Sequence, residues 1–165
     1  MTANSNLLDF QDLLDRAIAI CTETIGGSEG KAFWYYTQES FPYFVARVGE
    51  IDPTFEDEDE IVTYTFKLYV RHITGNRTAG LTQLGEGEAM LYAQIPLILD
   101  AFLSSDLMQS TTESTAPDWL ESFDMLPCPG LQSWDAAGIG AVGQQIGTTY
   151  SFECKARVEI DRTYD

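Results

Sequence analysis

Two stretches of this chain alternate apolar and polar side chains for about a dozen positions each. In 61–72, Val62, Tyr64, Phe66, Leu68 and Val70 form one set, and Thr63, Thr65, Lys67, Tyr69 and Arg71 form the other. In 148–161, Tyr150, Phe152, Cys154, Ala156, Val158 and Ile160 alternate with Thr149, Ser151, Glu153, Lys155, Arg157 and Glu159. Successive side chains of a strand point to opposite faces, so each stretch predicts one long strand with a buried face and a wet face. At about 3.4 Å per residue a dozen residues span about 40 Å, roughly twice the usual strand. A compact domain of this length has a radius of gyration near ~15 Å and is itself only about 40 Å across. Strands that cross the whole molecule suit a structural or assembly protein more readily than a small enzyme.

The remaining pattern predicts two main helices. Leu7, Phe10, Leu14, Ala17, Ile18, Cys21 and Ile25 recur at three- and four-residue steps, giving a helix that Ser5 or Asn6 can cap, that ends near Thr24, and that Gly26-Gly27 stops. Asp9 and Asp12 suit the positive end of its dipole. A second helix, over 86–103, carries the stripe Met90, Leu91, Ile95, Ile98, Leu99 and Phe102, with Pro96 in its middle predicting a kink or two abutting helices. The aromatic and β-branched runs 32–36 and 43–48 read as strands, 52–60 as a turn followed by an acidic run, and 74–80 as a loop. The Ser- and Thr-rich stretch 104–117 reads as a long loop, 119–126 as a short helix or strand, and 131–134 as a strand. A glycine-rich run, 138–147, leads into the second long strand. Together these predict a single α+β domain over 1–165, an α/β arrangement in which a mixed or largely antiparallel sheet with two long strands packs against two main helices.

Charge sharpens this picture. Nine Lys and Arg against twenty-six Asp and Glu give a formal net charge of −17. Such a balance leaves no cationic footprint for sequence-specific duplex binding, and it suits either a soluble acidic surface or a protein that sits beside nucleic acid without holding it. Cys21, Cys128 and Cys154 are odd in number and widely spaced, which predicts reduced core thiols rather than a disulfide framework. The first residues lack a basic region and no apolar run approaches a membrane span, so neither a signal peptide nor membrane insertion is expected.

Candidate chemistry is sparse. Gly138-Ile139-Gly140-Ala141-Val142-Gly143 fits G-x-G-x-x-G, but a dinucleotide site needs a strand before it and a helix after it, whereas here a strand follows. The run Glu56-Asp57-Glu58-Asp59-Glu60 lacks the alternation and the glycine of an EF-hand loop and reads as a solvated loop or a contact for a basic surface. His72, the only histidine, closes the first long strand and has no Ser or Cys signature near it. No cofactor or metal is implied. The aromatic cluster Phe33, Trp34, Tyr35, Tyr36, Phe41, Tyr43 and Phe44 reads as core plus a subunit interface.

The order of elements resembles the tail terminator and related neck proteins of tailed bacteriophages. That resemblance is carried by the segment 87–102, GEAMLYAQIPLILDAF, by Phe41-Pro42-Tyr43-Phe44, and by the closing 149–160, TYSFECKARVEI. It implies a ring of identical subunits, commonly six, that caps the finished tail tube and stops its polymerisation. Such a ring joins the tail to the head connector and lets DNA pass through its lumen. The partners so implied are other copies of the chain, the tube protein and sheath, and a stopper or connector protein, and the place is the virion neck after assembly in the host cytoplasm. No active site is carried over. Local physics then marks Lys67, Arg71, Glu153, Lys155, Arg157 and Glu159, on the polar faces of the long strands, as candidate subunit or tube contacts. Glu56, Asp57, Glu58, Asp59, Glu60, Gly138, Gly140 and Gly143 are candidate docking loops. A monomeric ligand-binding α+β module is the alternative from a different class, and a hydrolase a third.

Overall fold

The computed structural model describes residues 8–35, 40–56, 61–76, 81–105, 119–135 and 143–159. The elements are α1 (Phe10–Thr24), β1 (Glu29–Lys31), β2 (Tyr43–Glu56), β3 (Ile61–Asn76), α2 (Leu81–Ser104), β4 (Leu120–Met125), β5 (Gln132–Asp135) and β6 (Gln144–Glu159). They form one six-stranded sheet in the order β1-β2-β3-β6-β4, with β5 also paired to β6. β1 runs parallel to β2 and every other pair is antiparallel. Both helices pack on one face of the sheet, so the fold is the α+β arrangement that the alternation predicts.

The two long strands exist and are longer than their alternating stretches. β3 and β6 each have 16 residues and pair with each other along nearly their whole length. Val62, Phe66, Leu68 and Val70, with Phe152, Cys154, Ala156 and Val158, are buried under the helices. Phe10 of α1 meets Phe66 edge-on at 5.0 Å, and Phe102 of α2 sits 4.6 Å from Phe152, which stacks on Phe123 at 4.5 Å. Where helix and sheet come closest, side chains give way to glycines. A Cβ on Gly30 would lie 2.6 Å from Ile18, and one on Gly87 2.9 Å from the Thr74 carbonyl.

Several boundaries differ from the sequence expectation for local physical reasons. α1 is capped by Asp9, whose carboxylate accepts the Asp12 N–H at 3.1 Å, rather than by Ser5 or Asn6, which lie outside the described residues. Asp9→Ala is expected to lower stability by about 1 kcal/mol, read as a shift of the urea midpoint with an unchanged slope. β2 runs straight through Asp52-Pro53, where the sequence predicts a turn. Among the described residues β1 pairs only with the first residues of β2, so at Pro53 the strand is a sheet edge, the place in a sheet where proline is tolerated. A bulge between Gly49 and Asp52, with Glu50 at a φ of 54°, absorbs the irregularity.

The strand expected over 32–36 is replaced by β1 three residues earlier. Residues 32–35 run outside the sheet, with Phe33 and Tyr35 exposed. β3 does not end at His72 but continues through Thr74-Gly75-Asn76, with a register shift at Gly75. β6 starts at Gln144, and 138–142, most of the G-x-G-x-x-G run, lie outside the described residues. Helix α2 starts at Leu81 rather than near Glu86 and passes through Pro96 as one helix, not two. Pro96 lies on its exposed side. Of 119–126 and 131–134, both become strands, while most of the polar stretch 104–117 is outside the described residues.

Candidate functional site

The inner face of the sheet holds a polar cluster that the sequence does not reveal. Phe44, His72 and Tyr150 lie side by side on β2, β3 and β6 with ring centroids 4.6 and 5.9 Å apart. The His72 Nδ1 lies 2.9 Å from the Tyr150 hydroxyl, and its Nε2 lies 2.8 Å from Oε1 of Gln94 on α2. A Gln carbonyl oxygen only accepts, so Nε2 carries the ring proton. Nδ1 of the neutral ring then accepts from the Tyr150 O–H. Burial pushes the His72 pKa down to about 4 against a smaller upward pull from Gln94, and it pushes the Tyr150 phenol well above its ordinary value. Both ring nitrogens are committed and the side chain is fully buried, so this histidine serves as a hydrogen-bonding hub that ties α2 to the sheet rather than as a base. The strand-end placement expected from sequence is corrected accordingly.

The thiols behave as core groups. Cys21 and Cys154 are buried, and desolvation raises the pKa of each, Cys154 to about 12. Cys128 is half-buried, with its sulfur 3.3 Å from the Thr148 hydroxyl. Among the described residues no group of three His, Cys, Asp or Glu side chains is placed to hold a metal ion, and no helix is long and apolar enough to cross a membrane.

The opposite face of the sheet carries the charged residues. Alternation puts Arg47 of β2, Lys67 and Arg71 of β3, and Glu153, Lys155, Arg157 and Glu159 of β6 on this side. Five of the nine basic residues of the chain therefore share one surface. Lys67 faces Glu153 across β3 and β6 and pairs with Glu50 in the bulge at 2.9 Å, which holds the Glu50 carboxyl below its ordinary range and the Lys67 amine above its own. Both partners are exposed to solvent, so this pair shapes the surface more than it stabilises the fold. Lys155 and Arg157 lie opposite Thr65 and Thr63, and Glu159 opposite Ile61, toward the far end of the same strands.

Arg71 stands apart from this set. Its guanidinium lies 4.2 Å from the centroid of Trp34 and 4.3 Å from that of Trp134, so it is sandwiched between two indoles. Arg47 lies 4.5 Å from Trp34 and 5.3 Å from Tyr69 and extends the stack to a ladder of five side chains, Tyr69, Arg47, Trp34, Arg71 and Trp134. Beneath it is a small second core of Tyr43, Val45 and Ile73, onto which Trp34, Phe41 and Trp134 pack. Trp134 donates its ring N–H to Gln145 at 2.9 Å, and Gln145 in turn bonds the Tyr43 hydroxyl, which fixes the indole. Each cation–indole contact contributes about 1 kcal/mol. Trp34 belongs to the aromatic cluster that the sequence marks as core plus a subunit interface, whereas Arg47 and Trp134 carry no signal of their own there.

A third surface is the outer side of α2. From Ala89 to Leu99 the only polar side chain besides the Tyr92 phenol is Gln94, and Gln94 turns inward to His72. Ala89, Tyr92, Ala93, Pro96 and Leu97 are left facing solvent, with Tyr92 at 56% and Leu97 at 53% exposure, and Leu103 continues the strip at 64%. A helix apolar on both sides is unusual at the surface of a domain, where the outward side is ordinarily polar. Near its C-terminal end an open depression of about 300 Å³ is lined by Ile20, Glu23, Thr24, Ala101, Ser104 and Ser105. It is shallow and half polar, unlike the enclosed apolar sites that bind small molecules.

Of the docking loops expected from sequence, Glu56 closes β2, Gly143 stands just before β6 with a φ of 93°, and Asp57, Glu58, Asp59, Glu60, Gly138 and Gly140 lie outside the described residues. No protein-family model matches this sequence, and no curated protein is similar enough to it to count as a relative.

Proposed function

We propose that this protein is a non-enzymatic structural subunit that associates with copies of itself into a ring, as the resemblance to bacteriophage tail terminators implies. In that reading the ring caps a tail tube and joins it to the head connector, with DNA passing through the lumen. The observation that carries the proposal is the outer side of α2. An exposed apolar strip on a chain of net charge −17 is a poor solution for a lone monomer and a good one for a subunit whose neighbour covers it. Three long strands crossing the domain give a rigid plate of the kind that assembled shells use, and the only histidine is spent on holding α2 to that plate. Arg16 is the only base in α1 and α2, so the part of the helix layer that a neighbour leaves uncovered, chiefly α1, is acidic and suits a wall along which DNA slides without being held.

Native mass spectrometry and negative-stain images of the full chain test this. Ring particles with a central opening are expected, and Leu97→Asp with Tyr92→Asp should shift the population toward folded monomers. A wild-type chain that stays monomeric at every concentration, with and without tail tubes present, would remove the reading.

A further inference from the structure

We propose that the Arg47–Arg71 ladder on the open face of the sheet is the docking site for the acidic segment 56–60 of a second copy of this chain, the two copies joined head to tail. This rests on the ring reading above and names the contact that would close such a ring.

Among the described residues the ladder is a cation site without an ion-paired anion. Both faces of the Arg71 guanidinium are covered by indoles, which leaves only its in-plane N–H groups for recognition, and its Nε is buried with no hydrogen-bond partner among the described residues. Among the described residues neither Arg47 nor Arg71 has a carboxylate within ion-pair distance, although acids outnumber bases twenty-six to nine in this chain. Lys67, on the same face, has found its carboxylate in Glu50. Two neighbouring arginines, stiffened by three aromatic rings and with no described carboxylate at ion-pair distance, form a preorganised donor surface for carboxylates; Glu50, paired with Lys67, feels the Arg47 charge only at longer range.

The densest source of carboxylates in the sequence is Glu56-Asp57-Glu58-Asp59-Glu60. It connects β2 to β3 beyond the register pair Glu56↔Ile61, while Arg71 lies opposite Val45 near the other end of the same two strands. The ten steps along β3 from Ile61 to Arg71 span about 34 Å at about 3.4 Å per residue. A paired ladder of strands cannot bend that far back on itself, so a chain's acidic segment cannot reach its own arginines. A second copy displaced along the strand direction brings the two together. The contact joins two different patches, which makes it heterologous, and heterologous contacts close into rings when the rotation between copies allows.

Charge exchange between the two patches gives the test. Sedimentation velocity of the full chain should show self-association that weakens with salt, since exposed ion pairs are screened. The double variant Arg47→Glu, Arg71→Glu and the variant with all five residues of 56–60 changed to Lys should each be monomeric, and an equimolar mixture of the two should assemble again, because each supplies the charge the other lacks. Arg71→Lys keeps the charge but loses the planar fork and should weaken association roughly tenfold. Arg71→Gln removes the charge while keeping a flat side chain for the indole slot, and it should behave as the charge reversal does should that reversal unfold the chain, which circular dichroism would reveal. Wild-type rings that persist unchanged in Arg47→Glu, Arg71→Glu or in Arg71→Gln would overturn this contact and leave the ring reading standing. So would a mixture that fails to assemble from folded variants. A fluorescent single-stranded oligonucleotide that binds the wild type and loses binding in Arg71→Gln, with the ring intact, would overturn it in favour of a nucleic-acid site. A wild type that never associates removes the ring reading and this contact with it.

Discussion

Replacing Gly147 by alanine is expected to cost about 3 kcal/mol or more and to leave little folded protein at growth temperature. A Cβ at this position would lie 1.9 Å from the His72 carbonyl oxygen, 2.9 Å from its carbonyl carbon and 3.0 Å from the Ile73 Cα. All three are backbone atoms of the neighbouring strand, so no side chain can rotate away and the β3–β6 ladder itself must part. It would part next to the register shift at Ile73 and Gly75, where the pairing is already irregular, and directly under the hydrogen-bonded His72 ring. Gly85→Ala is the control. It lies on the exposed side of α2 with nothing within 4 Å of the added methyl, so alanine should stabilise the helix by about 0.5–1 kcal/mol. Urea titration of both variants reads the contrast, and a folded Gly147→Ala with a near-wild-type midpoint would show that the strands do not approach as described.

Gly147 also shows what the amino-acid pattern can and cannot convey. The burial of alternate residues in β3 and β6 follows from a period of two, and α1 and α2 from apolar stripes at three- and four-residue steps, because both signals are local. Gly147 in the sequence belongs to a glycine-rich run that reads as a flexible approach to a strand, and only the position of the His72 carbonyl turns it into a fixed close contact. Pro53 misleads in the same way. It signals a turn unless one knows that β1 stops at Lys31 and leaves that part of β2 an edge. The candidate site divides along the same line. Lys67, Arg71, Glu153, Lys155, Arg157 and Glu159 share one face because parity along a strand is local, whereas the meeting of Trp34 with Trp134 across Arg71 brings together residues a hundred positions apart in the chain. Nor does Gln94 stand out in a helix of apolar neighbours, although its inward turn is what leaves the outer side of α2 bare.

The same glutamine takes part in the second large effect, a loss of stability on mild acidification. The His72 pKa is held down to about 4 by burial, against an ordinary value of 6.5. Above pH 6.5 neither folded nor unfolded chain protonates this ring and its full contribution is present. Below 6.5 the unfolded chain takes up a proton that the folded chain refuses until about pH 4, so stability falls as pH falls through that window. The difference amounts to about 2 kcal/mol between pH 7 and 5 and about 3 kcal/mol by pH 4. Hydrogen bonding does not oppose the proton, since Nε2 already donates to Gln94 and the Tyr150 oxygen can accept from Nδ1–H; the cost is that of placing a charge between Phe44 and Tyr150 away from water. Twenty-six carboxylates act in the opposite sense once they begin to protonate, because a chain of net charge −17 gains from losing self-repulsion. The two are separated by comparing wild type with His72→Gln from pH 7 to 5, above most of the carboxylate range. The variant, whatever its absolute stability, should lack the wild type's decline. Parallel pH profiles for the two proteins would show that the ring is hydrated or already charged in the fold. If the decline is present, acid first loosens the joint between α2 and the sheet, and the apolar strip beyond Gln94 would then lose the support that holds it flat for a neighbour.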